Sequence, residues 1–410
     1  MIQPVLKFPP GNGPLFIMKP LSLYIHIPYC IHKCGYCDFN SHKINALEMD
    51  DYVEALLEEA VFYSSKIETK RAEEKDDGPS APNWQIATIF FGGGTPTTLP
   101  ASQLIRILEC CRDRFDVSPD CEITLEANPA TIKPDYLQDL RAAGFNRISV
   151  GVQSFHEKDL RLLERVHSVE EIYLTMDRAR QAGFDNLSID LMFALPGQSL
   201  TDWESNLAKA IEIYPEHISA YNLSIEPGTA FFKLQSRGQL IMPPEDFQLE
   251  FYQMAIDRLL QAGYKHYEIS NFARPGKQSR HNMTYWENRE YLGLGAGASS
   301  YMNGTRFKNW ALPPRYIREA KTGGGAVESA ERLEPQAALG ETLMLGLRLL
   351  ENGVSVSQIE KRFRVSFMEV YGKAVSVLSE NNLISVDSGR ISLTKKGLFL
   401  ADTVILEFIS

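Results

Sequence analysis

From about Leu21 to Ile225 the chain repeats one unit: a short apolar run, a turn, then a segment with helical periodicity. Strands are expected at Leu21–Ile27, Ile86–Phe91, Glu122–Glu126, Arg147–Val152, Leu187–Phe193 and Ile218–Ser224. Amphipathic helices are expected between them, at Asp51–Phe62, Ser102–Phe115, Pro134–Ala143, Ser168–Ala182 and Thr201–Ile213. Pro134 suits a first helical turn, and Gly144 and Gly183 sit where a helix end wants a left-handed residue. Apolar runs with little alternation suit parallel strands covered on both faces. Six such units in about 200 residues predict an α/β barrel or partial barrel, and a doubly wound sheet fits the same periodicity. The charged, then Pro/Gly/Ser-rich stretch Lys66–Asn83 reads as a solvated loop extension in the first crossover.

The remainder divides by pattern. Residues 1–20 form an N-terminal extension, 21–240 the barrel, 241–334 an accessory region and 335–410 a small C-terminal domain. In the accessory region a helix at Glu245–Ala262 precedes an irregular Gly-, Asn- and aromatic-rich segment reaching Trp310, and Lys321–Pro335 reads as a linker. The last domain pairs helical patterns at Ala338–Leu350, Val356–Phe363 and Phe367–Glu380 with a hairpin. Its strands are Leu383–Val386 and Ile391–Thr394, around Asp387-Ser388-Gly389, and a final helix follows. That order predicts a winged-helix-like shape. Its eight Lys/Arg balance eight Asp/Glu, and the whole chain carries a net charge of -10, so packing or docking is expected there rather than nucleic-acid binding. No run approaches the roughly 20 apolar residues that span a bilayer, and the Pro-rich N-terminus is no secretory signal. A cytoplasmic protein is expected.

Six cysteines in 410 residues are too sparse for a disulfide scaffold, and three of them cluster directly after the first strand, in YIHIPYCIHKCGYC. Cys30, Cys34 and Cys37 can hold three corners of a [4Fe–4S] cluster from one short loop, leaving the fourth iron open to a ligand. The alternative is structural zinc with His26 or His32 as fourth ligand, although such sites usually pair two ligand hairpins and no second pair exists. The second strand ends in Gly92-Gly93-Gly94-Thr95-Pro96-Thr97, which lacks a P-loop's Lys-Ser/Thr. Consecutive glycines let backbone approach a ligand closely. Glu126, Gln153 and Asp190 also fall at strand ends, and Arg165 closes the helix after the fourth strand. On one rim they favour a polar ligand; singly, each reads as a salt bridge or cap.

The cysteine triad with the glycine loop resembles the radical S-adenosylmethionine (SAM) superfamily. YIHIPYCIHKCGYCDF, FFGGGTPT, LEANP, GVQSF and DLMFALPGQ are similar to the oxygen-independent coproporphyrinogen III oxidases and the related HemW haem chaperones. The resemblance implies a partial (β/α)6 TIM-like barrel carrying a [4Fe–4S] cluster on Cys30, Cys34 and Cys37. It also implies SAM lined by Tyr24, Tyr36, Gly93, Gly94 and Thr95 and contacted by Glu126, Gln153, Arg165 and Asp190. Arg165 suits a carboxylate and Asp190 suits ribose hydroxyls. Two departures separate this chain from the oxidases. Phe39 stands where they carry a fourth cysteine, and only about 20 residues precede the first strand. His281-Asn282-Met283-Thr284-Tyr285-Trp286 instead matches the HNxxYW signature of the chaperones, with His281 as a candidate axial haem ligand beside two aromatic rings. The implied function is haem binding and delivery to haem-accepting proteins, without coproporphyrinogen oxidase activity. Acceptors in a respiratory chain would require contact with the membrane periphery.

Cys110, Cys111 and Cys121 lack a metal partner at useful spacing, and Gly293–Gly297 reads as a close-packed turn near the cofactor. His156, His167, His217 and His266 belong to no recognisable constellation.

Overall fold

The computed structural model describes residues 18–73, 83–323 and 325–409. The expected N-terminal extension lies outside them except for 18–20, which already belong to the first strand. Strands β1 (Met18–Ile27), β2 (Asn83–Gly93), β3 (Val117–Ala127), β4 (Arg147–Gln153), β5 (Leu187–Phe193) and β6 (His217–Asn222) stand side by side in chain order. Every neighbouring pair is parallel. Helices α1 (Ala46–Glu73), α2 (Ala101–Arg114), α3 (Tyr136–Ala142), α4 (Val169–Gln181) and α5 (Leu200–Glu212) supply the crossovers. A doubly wound sheet would reverse its strand order at a switch point; this order never reverses, so the partial-barrel expectation holds.

Three expectations change. Helix α1 runs through Lys66–Glu73, a stretch read as loop, because KIETKRAE consists largely of good helix formers; residues 74–82 lie outside the described ones. The accessory region is not irregular. Strands β7 (Lys265–Glu268) and β8 (Asn271–Ala273) form a hairpin on the free edge of β6. On the opposite edge β9 (Tyr291–Leu294) pairs parallel with β1, and β10 (Ser299–Met302), β11 (Thr305–Asn309) and β12 (Val327–Arg332) continue antiparallel. Strands of three to six residues carry too little periodicity to be read from sequence. The presumed linker therefore contains β12, whose residues are all exposed.

The barrel strands also alternate after all. Leu21, Leu23 and Ile25 of β1, Ile123 and Leu125 of β3, and Ile148 and Val150 of β4 join one apolar core with Leu104, Ile107, Met176 and Trp203 of the helices. Several residues between them are polar and bond to one another inside the barrel. Ser22 bonds Thr88, Ser149 bonds Asp190, and Ser188 bonds His217. Helix α6 spans Glu245–Gln261, and the next helix, α7 (Arg280–Trp286), plugs this interior. Thr284 bonds Ser22, His281 bonds Thr88, and the Glu122 carboxylate accepts from the N–H groups of Arg280 and His281. Groups from β1, β2 and β3 thus converge on one short helix, as a curled sheet requires.

The C-terminal part has its own core of Leu339, Leu343, Phe367, Tyr371, Ile391 and Phe408. Helix α8 (Pro335–Gly346), strand β13 (Val354–Ser355), helices α9 (Val356–Phe363) and α10 (Phe367–Glu380), strands β14 (Ile384–Asp387) and β15 (Arg390–Leu393), and α11 (Ala401–Ile409) follow the winged-helix order. Ser388 and Gly389 both have positive φ, the requirement of a two-residue type I′ hairpin turn. The plug reaches this domain: Trp286 stacks 4.5 Å from the Arg348 guanidinium, and Asn288 donates to Thr342 Oγ1 at 2.9 Å. None of the described helices is long and apolar enough to cross a membrane.

One buried carboxylate ties the barrel to the accessory sheet. Glu59 on α1 accepts from Gly295 N–H (2.8 Å), Tyr316 Oη (2.6 Å) and Asn309 Nδ2 (2.7 Å). Glu59→Ala leaves all three donors without that acceptor and is expected to cost on the order of 3 kcal/mol in denaturant unfolding, with the midpoint falling. An unchanged midpoint would mean that these donors find other partners.

Candidate active site

The site lies at the C-terminal ends of the barrel strands, and its first component is the loop after β1. The loop is anchored by backbone: His42 N–H donates to Pro28 O at 2.6 Å and Ile44 N–H to Cys30 O at 3.0 Å. At its far end Asn40 Nδ2 donates to the carbonyls of Ala296 and Ala311, both at 2.9 Å. His26 fixes the same corner. Burial pushes its imidazole down to about 4, so it is neutral; Nε2–H donates to Asn40 O at 2.9 Å and Nδ1 accepts from Tyr24 Oη at 3.0 Å.

The glycine loop after β2 is sewn onto this loop. Gly94 N–H donates to Ile27 O and Thr95 N–H to Tyr29 O, both at 2.8 Å. A Cβ on Gly94 would meet Tyr29 O at 2.8 Å, and one on Gly93 (φ +113°) would meet the His26 ring at 2.5 Å. The glycines are therefore demanded first by this close backbone approach. The predicted turn at Gly293–Gly297 packs behind it: a Cβ on Gly295 would lie 2.5 Å from His26 O.

One cavity is lined by Cys30, Cys34, Cys37 and Tyr36 from the first loop, by Gly93, Gly94 and Thr95 from the second, and by Glu126, Gln153, Arg165 and Asp190 from the next strand ends. All the predicted cofactor residues of the barrel except Tyr24 meet there. Tyr24 lines an adjoining cavity with Phe39, Tyr285, Tyr291 and Lys308, and the two share Phe39, Gly93 and Glu126. The sequence reading missed Ser149, whose hydroxyl lies 3.4 Å from both Asp190 carboxylate oxygens, and Asn128 on the same wall. Period-two polar residues in the strands were the available signal.

The thiols fit an iron–sulfur cluster. Each is half-buried on the cavity wall: Cys30 Sγ stands 3.5 Å from Thr95 Oγ1, and Arg165 Nη1 donates toward Cys34 Sγ at 3.8 Å. Burial pushes the Cys30 and Cys34 thiols up, opposed by Thr95 and Arg165 respectively. Among the described residues no three His, Cys, Asp or Glu side chains converge on a single-ion site, whereas a cluster takes each thiolate on a separate iron. Arg165 also donates from Nη2 to Gly151 O at 3.0 Å, while its Nε has no partner.

His281 stands elsewhere. It is 1% exposed, its Nδ1 lies 2.7 Å from Thr88 Oγ1 and its Nε2 2.9 Å from Tyr285 Oη, and its ring stacks 5.0 Å from Phe90. Burial drives its imidazole down to about 3. With both ring nitrogens engaged inside the barrel, it has none to offer a haem iron in this conformation. The HNMTYW segment works as the barrel plug.

Glu126 carries a testable cost. Burial, then neighbouring Asp190, push its carboxyl up to about 8 against the Gly93 N–H and Arg147. A carboxyl raised on folding keeps its proton through neutral pH, and ionising it removes stability as pH climbs from its unfolded range to its folded one. Glu126→Gln is expected to stabilise the cofactor-free chain in thermal unfolding, with a gain near zero below about pH 4 that grows as pH climbs to about 8 and then levels off. A gain independent of pH would contradict the raised carboxyl.

Comparison with known proteins agrees with this geometry. The radical SAM superfamily model matches residues 24–210 and the HemN C-terminal domain model residues 333–400. The heme chaperone HemW of Lactococcus lactis is 38% identical over 393 residues, covering 96% of this chain and 98% of that protein. The heme chaperone HemW of Bacillus subtilis is 36% identical over 389 residues, covering 95% and 99%. The structure of Escherichia coli coproporphyrinogen III oxidase (HemN), a radical SAM enzyme, superposes with a TM-score of 0.80 at 26% identity, covering 96% of this chain and 91% of that one. Radical SAM membership implies a [4Fe–4S] cluster and SAM as cofactors in general. The chain belongs to the HemW heme chaperone family of the radical SAM superfamily.

Proposed function

We propose that this protein binds haem and delivers it to haem-requiring acceptor proteins, with a [4Fe–4S] cluster and SAM held in the rim cavity. The observation that carries the reading is similarity to heme chaperones over 96% of the chain, barrel and C-terminal domain together. When bound, the cluster supplies one-electron reduction of SAM. The chain's own residues hold and orient. Cys30, Cys34 and Cys37 present three thiolates from one anchored loop. Arg165, its Nε unpartnered, meets the amino acid carboxylate, while Glu126 and Asp190 accept from ribose hydroxyls.

The adjoining cavity suits the cargo. Tyr24, Phe39, Tyr285 and Tyr291 offer flat apolar faces, and Lys308 offers a cation for a propionate. Phe39 is 64% exposed, at the border of the two cavities. A phenyl ring there can stack on a porphyrin but cannot ligate iron or transfer a proton, as a thiol could. The protein would work in the cytoplasm, with acceptors in a respiratory chain bringing it to the membrane periphery.

The test is one preparation, reconstituted anaerobically to about four iron per chain, and divided. Haem titration should give saturable binding, weakened in Phe39→Ala and Lys308→Glu with cluster content intact. Incubation with coproporphyrinogen III, SAM and reductant should give no protoporphyrinogen IX. Substantial turnover without haem binding would replace the carrier reading with the oxidase reading.

A further inference from the structure

We infer that Arg147 is a positioning residue for SAM, the fixed counter-charge beneath Glu126 and Asp190. The inference rests on the proposed assignment of those two carboxylates to the cofactor.

Arg147 opens β4 and is 2% exposed inside the polar barrel interior. Its Nε has no hydrogen-bond partner, and none of the ion pairs among the described residues involves it. Its register partner on β3, Thr124, is likewise buried with an unpartnered hydroxyl. A guanidinium taken out of water without a carboxylate partner is costly. Such a group contributes through its field rather than through a bond. On β4 it stands two residues before Ser149, on the same strand face, and Ser149 is the register partner of Glu126 and lies 3.4 Å from both Asp190 carboxylate oxygens. From that place its charge draws both carboxyls toward ionisation. Two carboxylates sharing one cavity wall repel each other and resist ionising together, and a cation below both relieves that repulsion. Anionic oxygens accept more strongly from hydroxyls and favour a sulfonium-bearing ligand.

The other groups facing this interior leave the pair's charge to Arg147 and Arg165. Burial keeps the imidazoles of His217 and His281 neutral and raises the phenols of Tyr24, Tyr221, Tyr267 and Tyr285. Arg165 is committed to Gly151 O and Cys34. The Glu122 carboxylate, on the same face of β3, is committed to the N–H groups of Arg280 and His281, and Glu268, pushed up to about 7 by burial against the Arg348 charge, titrates nearby.

Equilibrium binding of SAM to reconstituted, unreduced protein should be measured from about pH 6 to pH 9 by calorimetry. Wild-type affinity is expected to rise with pH as the carboxylates ionise. Arg147→Met should bind about tenfold more weakly near neutral pH, with the midpoint displaced upward by about one unit or more. Arg147→Lys should restore the wild-type midpoint, and the displacement should persist in a Glu268→Gln background. Arg147→Gln serves if the methionine variant does not fold. A wild-type midpoint in the uncharged variants, or an equal loss of affinity at every pH, would overturn the inference. Failure of the wild-type protein to bind SAM at all would overturn the underlying assignment, and the inference with it.

Discussion

Two backbone hydrogen bonds organise the site: Gly94 N–H to Ile27 O and Thr95 N–H to Tyr29 O. They fasten the glycine loop of the second strand to the start of the cysteine loop, at a distance that no side chain tolerates. With that contact made, Thr95 reaches Cys30, and Gly93 N–H reaches Glu126 at 3.2 Å. Three successive strand ends are thereby locked into one wall. The far side of the cysteine loop depends on a second chain of contacts, from Asn40 and His26 through Tyr52 to the turn at Gly295–Ala296. Tyr52 Oη donates to His26 O at 2.7 Å and accepts from Ala296 N–H at 2.9 Å. The accessory sheet is thus a clamp for the loop and not an appendage.

The barrel interior spends stability on function. Glu126, Asp190 and Arg147 lie in or under one cavity without direct ion pairs among them, an arrangement a purely structural core would replace with apolar packing. The plug helix offsets part of this cost. It satisfies Ser22, Thr88 and Glu122 with a hydroxyl, an imidazole and two backbone N–H groups, closing the end opposite the rim. Through Trp286 and Asn288 the same segment contacts the C-terminal domain, so the closed end of the barrel is also its docking point.

Much of this was legible in the sequence because the informative features are local. The six strand runs, the cysteine spacing and the glycine loop each lie within a few consecutive residues, and the rim residues follow from where strands end. What escaped was non-local. The polar lining was hidden because Tyr24, Phe90 and Tyr221 count as apolar and blur the alternation of their strands. The edge strands β7 to β12 are too short to show a period, and their pairing with β1 and β6 depends on contacts across the fold. His281 resembled a ligand because a sequence cannot show that Thr88 and Tyr285 already hold both its nitrogens.

The account makes this chain a carrier whose rim cavity supports cargo handling in the neighbouring aromatic pocket. The most direct test is transfer. Haem-loaded, cluster-reconstituted protein should be mixed with an apo haem protein behind a haem-scavenging control, and the acceptor's absorption spectrum followed. The account predicts acceptor loading faster than spontaneous haem release allows, and its loss when Phe39 and Lys308 are both replaced. Loading by the wild-type protein no faster than free dissociation, or unchanged loading by the double variant, would contradict it.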